Sequence, residues 1–125
     1  MTPEKQVPLQ ETCRLMEEAG IEFDSHWSRT FFSEQWILAT TGSLQLTGTK
    51  LIPSPTIPEL LEEMPESIDD EGIINELIYY KKNGVYHVKY WFDVDCSLVY
   101  LTRHENLAEA LAQMLLWLHE NEYCS

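Results

Sequence analysis

The chain has 125 residues, with 21 Asp and Glu against 8 Lys and Arg, giving a formal net charge of −13 at pH 7. A surface of that sign repels nucleic-acid phosphates and anionic membranes and favours basic partners, and no run approaches the ~20 apolar residues needed to cross a bilayer. Hydrophobic residues at 44 % and aromatics at 11 % are ordinary globular content, so the acids are expected on the solvated faces of one packed domain, residues 1–125.

Met1 to Gln10 carries no apolar run behind a basic start and does not read as a signal peptide. Pro8 suits the first turn of a helix, where its missing N–H costs nothing. Leu9 to Ala19 then sets Leu9, Cys13, Met16 and Ala19 along one side, and Gly20 is expected to stop the helix in a left-handed cap. Ile21 to Glu34 shows no regular period and is rich in aromatics: Phe23, Trp27, Phe31 and Phe32. Trp36 to Thr41 reads as a strand, Gly42-Ser43 as a turn and Leu44 to Thr47 as a second strand.

Thr56 and Glu59 have the spacing of a capping box, in which each side chain accepts from the other's backbone N–H. Pro58 fits the first turn, Leu60, Leu61 and Met64 form the buried side, Glu62 and Glu63 face water, and Pro65 ends the helix. The clearest signal follows. Ile73 to Lys82 and Val85 to Asp93 flank Asn83-Gly84, a pair suited to the two positive-φ positions of a type I′ hairpin turn. A two-residue loop sets Lys81 opposite Tyr86, Tyr79 opposite Val88, Leu77 opposite Tyr90 and Asn75 opposite Phe92 on the core side. Glu76, Ile78, Tyr80, His87, Lys89 and Trp91 fall on the other face. Asp93-Val94-Asp95 turns into a strand from Cys96 to Thr102. Last comes a helix from Leu107 to about Asn121, with Asn106 as N-cap, Glu109 placed to complete a capping box, and a stripe of Leu107, Leu111, Met114, Leu115 and Leu118. The expected class is α+β: a small antiparallel sheet with a central Asn-Gly hairpin, packed mainly on one face by an N-terminal helix, a short middle helix and a long C-terminal helix.

Three segments in order, Val7 to Gly20 (V-P-L-Q-E-T-C-R-L-M-E-E-A-G), Ile52 to Met64 (I-P-S-P-T-I-P-E-L-L-E-E-M) and Asn106 to Asn121 (N-L-A-E-A-L-A-Q-M-L-L-W-L-H-E-N), carry a resemblance, with the hairpin Y-Y-K-K-N-G-V-Y-H-V-K-Y-W between the second and third. Together they resemble a family of small acidic uncharacterised proteins encoded by phages, prophages and mobile elements of Bacteroides-group gut bacteria. These motifs are caps and core positions. The resemblance implies a fold, a genomic setting and a bacterial host cytoplasm, and it names no active residue. Phe23 to Leu46 lies outside it.

For chemistry the sequence offers little. Cysteines at 13, 96 and 124 form neither a disulfide framework nor a C-x-x-C pair, which fits a reducing cytoplasm. Asp93 and Asp95, at alternate positions of an extended segment, project to one side and with His87 can hold a divalent cation; Cys96 and His104 lie near them in sequence. The competing reading is a solvated turn. His26, His87, His104 and His119 stand in no H-x-H or H-E-x-x-H arrangement, and no phosphate-cradling glycine loop or nucleophile elbow occurs. No catalytic residue and no cofactor is expected. Sparse Lys and Arg form no basic stripe, so direct nucleic-acid binding is not expected.

The acids are uneven. Leu51 to Tyr80 has no Lys or Arg but holds Glu59, Glu62, Glu63, Glu66, Asp69, Asp70, Glu71 and Glu76. That run reads either as a solvated face or as a negative surface for a basic protein. Trp27, Phe31, Phe32 and Trp91 suit interface anchors if they face solvent, and Leu116 and Trp117 offer a homodimer surface on the C-terminal helix. The favoured reading is a non-enzymatic acidic interaction protein that binds a basic protein surface. The alternatives are a small metal-binding or hydrolytic domain using Asp93, Asp95 and His87, and a structural homodimer.

Overall fold

A computed structural model describes residues 3–32, 35–45, 50–92 and 97–123, with 97–99 described by their backbone alone. The chain begins with a short helix α1 (Pro3–Gln6) and then α2 (Gln10–Glu18). Gly20 takes φ +81°, its N–H donates to Glu17 C=O at 3.1 Å and the Ile21 N–H to Met16 C=O at 3.0 Å. That pair of bonds is a Schellman cap, closed by apolar contact between Ile21 and Met16, both buried. The helix starts later than Pro8 suggests, since Leu9 is the N-cap. The buried stripe is also rotated. Cys13 and Met16 enter the core as expected, but Leu9 and Ala19 are exposed and Thr12 is buried instead.

Residues from β1 (Trp27–Phe32), β2 (Gln35–Thr40) and β3 (Ile52–Ser54) form a three-stranded antiparallel sheet in the order β2-β1-β3. β1 falls in the stretch that showed no period. Ser28, Arg29 and Thr30 are all buried, so both faces are covered by polar side chains and no apolar alternation marks the strand. The strand expected over Leu44 to Thr47 is corrected: Leu44 and Gln45 end a helical turn, α3 (Thr41–Gln45), and Leu46 and Thr47 lie outside the described residues. The Thr40 hydroxyl, which accepts from the Ser43 N–H at 3.4 Å, starts that turn.

α4 (Ile57–Glu63) carries the capping box and has proline in its first turn. It leads to a second antiparallel sheet, β4 (Ser67–Asp70), β5 (Ile73–Lys82), β6 (Val85–Phe92) and β7 (Ser97–His104), ordered β4-β5-β6-β7. Asn83 and Gly84 have φ of 54° and 78°, the type I′ pattern. The pairs Lys81–Tyr86, Tyr79–Val88 and Leu77–Tyr90 form as expected. Asn75 does not reach Phe92: the β5–β6 ladder ends at Glu76–Trp91, and Asn75 pairs with Ile68 of β4.

The last element, α5 (Leu107–Glu120), starts at Asn106, whose side chain accepts from the Ala108 N–H at 2.9 Å. Its Leu111, Met114, Leu115 and Leu118 are fully buried against Cys13, Met16, Leu60, Met64, Val88 and Tyr90, so the core lies where α2, α4 and the inner face of the second sheet converge on α5. The fold is α+β, with two sheets where the sequence marked one.

Candidate functional site

The acidic run folds into a continuous feature: the last turn of α4, the chain leaving it, β4 and the turn into β5. Glu62, Glu63, Glu66, Asp69 and Glu71 are exposed along it. Several of them sit where local energetics favour other residues. Glu62 and Glu63 occupy the C-terminal turn of α4, where the helix dipole favours cations. Glu71 adopts φ +53° beside Gly72 at +89°, a left-handed position that side chains other than Asn or Asp pay to enter. Asp69 stabilises the same turn, its Oδ1 accepting from the Gly72 N–H at 2.8 Å.

Strand alternation sorts the remaining acids. Ile68 is buried, and Asp69 and Ser67 project from the opposite, outer face. Register sets Ser67 opposite Glu76, and Glu76 opposite Trp91, so Asp69, Glu76 and Trp91 share that outer face. The Trp91 ring is half-buried and carries the Lys89 Nζ 4.0 Å from its centroid, a cation–π contact. Asp70 lies on the inner side, half-buried, where its Oδ1 accepts from the Tyr123 hydroxyl at 3.4 Å. Burial, and then Asp70, push the Tyr123 phenol above its ordinary 10. Glu59 stands apart from the exposed set. Its Oε1 accepts from the Thr56 N–H at 2.7 Å and its Oε2 from the His26 N–H at 3.1 Å, so both oxygens are engaged in fastening α4 to the chain entering β1.

Cations gather elsewhere in the same sheet. Lys81 and Lys82 end β5, and Arg103 pairs with His87 across β6 and β7. The sign of charge therefore reverses between the β4 end of the sheet and the Asn-Gly hairpin. A cavity of about 450 Å³ lies near that hairpin, lined by Lys5, Ile57, Lys81, Tyr86, His104 and Leu107 among others. None of the acids of the run lines it.

Of the metal candidates, Asp93 and Asp95 lie outside the described residues. His87 stacks on Tyr80, centroids 5.0 Å apart and planes 1° from parallel. Among the described residues no group of three or more His, Cys, Asp and Glu side chains is placed to hold a metal ion. His104 Nδ1 accepts from the Asn106 N–H at 2.9 Å, taking the place expected for Glu109 at the start of α5. The Cys13 thiol is buried beside Arg29, whose Nη1 donates to the sulfur at 3.1 Å and to Ser54 Oγ at 3.2 Å. Burial pushes that thiol above its usual value and outweighs Arg29, which suits an inert structural cysteine.

Trp117, read from sequence as surplus apolar surface, stacks on Tyr100 at 4.6 Å and on Tyr123 at 5.4 Å, and Leu116 packs against the core. Phe31 and Phe32 are 55 % and 54 % exposed, as interface anchors require, and Trp36, which the sequence reading did not single out as an anchor, is 40 % exposed beside Phe31. Only strand pairing brings Trp36 there. Comparison with protein-family models, with curated proteins and with solved structures finds no match for this chain.

Proposed function

We propose that this is a non-enzymatic interaction protein, an accessory protein of a phage or mobile element acting in the bacterial cytoplasm, whose acidic shoulder from Glu62 to Glu71 meets a basic surface of a host protein. One observation carries the reading: Glu62, Glu63 and Glu71 occupy exposed positions where a cation, glycine or asparagine would be more stable. Acids kept for solubility alone have many neutral or favourable positions available. Positions where local preference is violated are where functional or strained sites are expected. Asp69, Glu76 and Trp91, whose ring carries Lys89, stand on the outer face of the second sheet, which the acidic run reaches through β4. Such a surface steers a basic partner to itself and weakens as salt screens it.

Affinity capture from host lysate tests this, using the wild type and a variant carrying Glu62→Gln, Glu63→Gln, Glu66→Gln, Asp69→Asn and Glu71→Gln. A basic protein held by the wild type at low salt, and released by either high salt or the five substitutions, is the expected outcome. Equal capture by both proteins counts against the acidic shoulder.

A further inference from the structure

The cavity beside the Asn-Gly hairpin has a lining chemistry unlike that of the acidic shoulder. It holds about 450 Å³, inside the range of about 300–1,000 Å³ usual for small-molecule sites. Separate parts of the chain build it: α1, the start of α4, the β5–β6 hairpin and the passage from β7 into α5. Ile57, Tyr86 and Leu107, each half-buried, give it apolar walls.

Three donor side chains line the same space. Lys5 stands in the last turn of α1 and Lys81 near the end of β5. The Lys81 Nζ sits 5.2 Å from the Tyr86 ring centroid, a cation–π contact that holds the ammonium against an apolar wall. His104 supplies the third donor. Its Nδ1 accepts from the Asn106 N–H at 2.9 Å, so the neutral ring carries its proton on Nε2 and offers an N–H there. The Asn106 amide is engaged elsewhere, its Oδ1 accepting from the Ala108 N–H at 2.9 Å and its Nδ2 donating to the Val7 C=O at 2.8 Å. Glu105, which is exposed, is the one acid among the described lining residues.

We infer that this cavity binds a small organic oxyanion, a carboxylate or phosphate head carried on an aromatic or aliphatic body. Charge selects the head. The chain has 21 acidic residues for 8 basic ones, so carboxylates to pair with every lysine are in ample supply. Among the described residues, the ion pairs are those of Arg14 with Glu11 and Glu18, and Lys5 and Lys81 line the cavity without one. An oxyanion has several lone pairs to accept from both ammonium groups and from the His104 N–H, as charge-assisted hydrogen bonds. A cation or a neutral molecule leaves the two ammonium groups uncompensated. The walls select the body, because covering Ile57, Tyr86 and Leu107 adds a hydrophobic gain that a bare ion cannot supply. Glu105 opposes an anion and so fixes the sign of one test. The site shares no residue with the acidic shoulder, and either can fail without the other.

Backbone amide shifts of the wild type, followed as benzoate, phenyl phosphate, benzyl alcohol and benzylamine are titrated in turn, test the inference. Benzoate or phenyl phosphate should move the amides of Lys81, Tyr86 and His104 to Leu107 saturably, and the tighter of the two identifies the head group. Benzyl alcohol, benzylamine and inorganic phosphate, each lacking either the charge or the body, should bind on the order of tenfold more weakly. Lys81→Gln should weaken the anion on the order of tenfold, whereas Glu105→Gln should tighten it. Both positions are exposed, so the melting temperature should stay unchanged in each variant. No saturable shift with either anion, benzylamine bound as tightly as benzoate, or a dissociation constant unmoved by Lys81→Gln would each overturn the inference.

Discussion

Glu109 shows how one side chain can hold two distant parts of the chain together. It is 2 % exposed, and its carboxylate accepts from the Leu9 N–H at 2.8 Å, the Thr12 hydroxyl at 2.7 Å and the Gln113 amide at 2.7 Å. Leu9 is the N-cap of α2 and has no capping side chain, so a carboxylate from α5 serves the start of α2, where the dipole also favours negative charge. The three-residue spacing from Asn106 suggested a local capping box. Tertiary packing redirects the side chain, and this also explains why Thr12 is buried and Leu9 is not. Glu109→Ala leaves the buried Thr12 hydroxyl and the part-buried Leu9 N–H and Gln113 amide without their acceptor and should cost about 2 kcal/mol in urea unfolding with an unchanged slope; a loss below about 0.5 kcal/mol would show that the donors find water. Tyr123 carries a second residue-scale prediction. Its phenol is raised above 10 by burial and Asp70, so the native state binds that proton more tightly than the unfolded chain does. The resulting stabilisation is complete below pH 10 and is lost as pH rises beyond it. Tyr123→Phe should therefore flatten the alkaline fall in melting temperature, and an unaltered profile contradicts the assignment.

At the scale of elements, the two tight turns of the second sheet make a controlled comparison. Both are two-residue turns with positive φ at each position: Asn83 and Gly84 at 54° and 78°, Glu71 and Gly72 at 53° and 89°. Asn-Gly advertises itself, and the hairpin was legible in the sequence to the level of three cross-strand pairs. Glu-Gly does not, and β4, with two of its four residues Asp, has poor strand propensity, so that hairpin was missed. β1 was missed for another reason: Ser28, Arg29 and Thr30 are buried polar residues, invisible to a hydrophobic period. Gly84→Val forces a branched side chain into the left-handed region and should destabilise by about 1–2 kcal/mol. Glu71→Asn moves the other way. It should raise stability by about 0.5–1 kcal/mol and weaken the bound partner, whereas a variant that gains stability and keeps full affinity would place Glu71 outside the interface.

The molecule as a whole separates its charges, acids at α4 and β4 and cations at the Asn-Gly hairpin, and it places an uncharged edge strand elsewhere. Net charge, the acidic run, the α+β class and the three principal helices were legible from composition, caps and periodicity. The grouping of Asp69, Glu76 and Trp91 on one face was not, because it depends on the β4–β5 register. Nor was the edge position of β2, which exists only relative to β1. The acidic shoulder is most directly tested by the affinity of the captured partner for wild type and for the variant with Glu62, Glu63, Glu66, Asp69 and Glu71 neutralised, measured by calorimetry at low and high salt on proteins of matched melting temperature. The variant should bind on the order of tenfold more weakly at low salt, with the difference closing at high salt. Equal affinities at low salt would contradict the central claim and leave the acids as a solvated face.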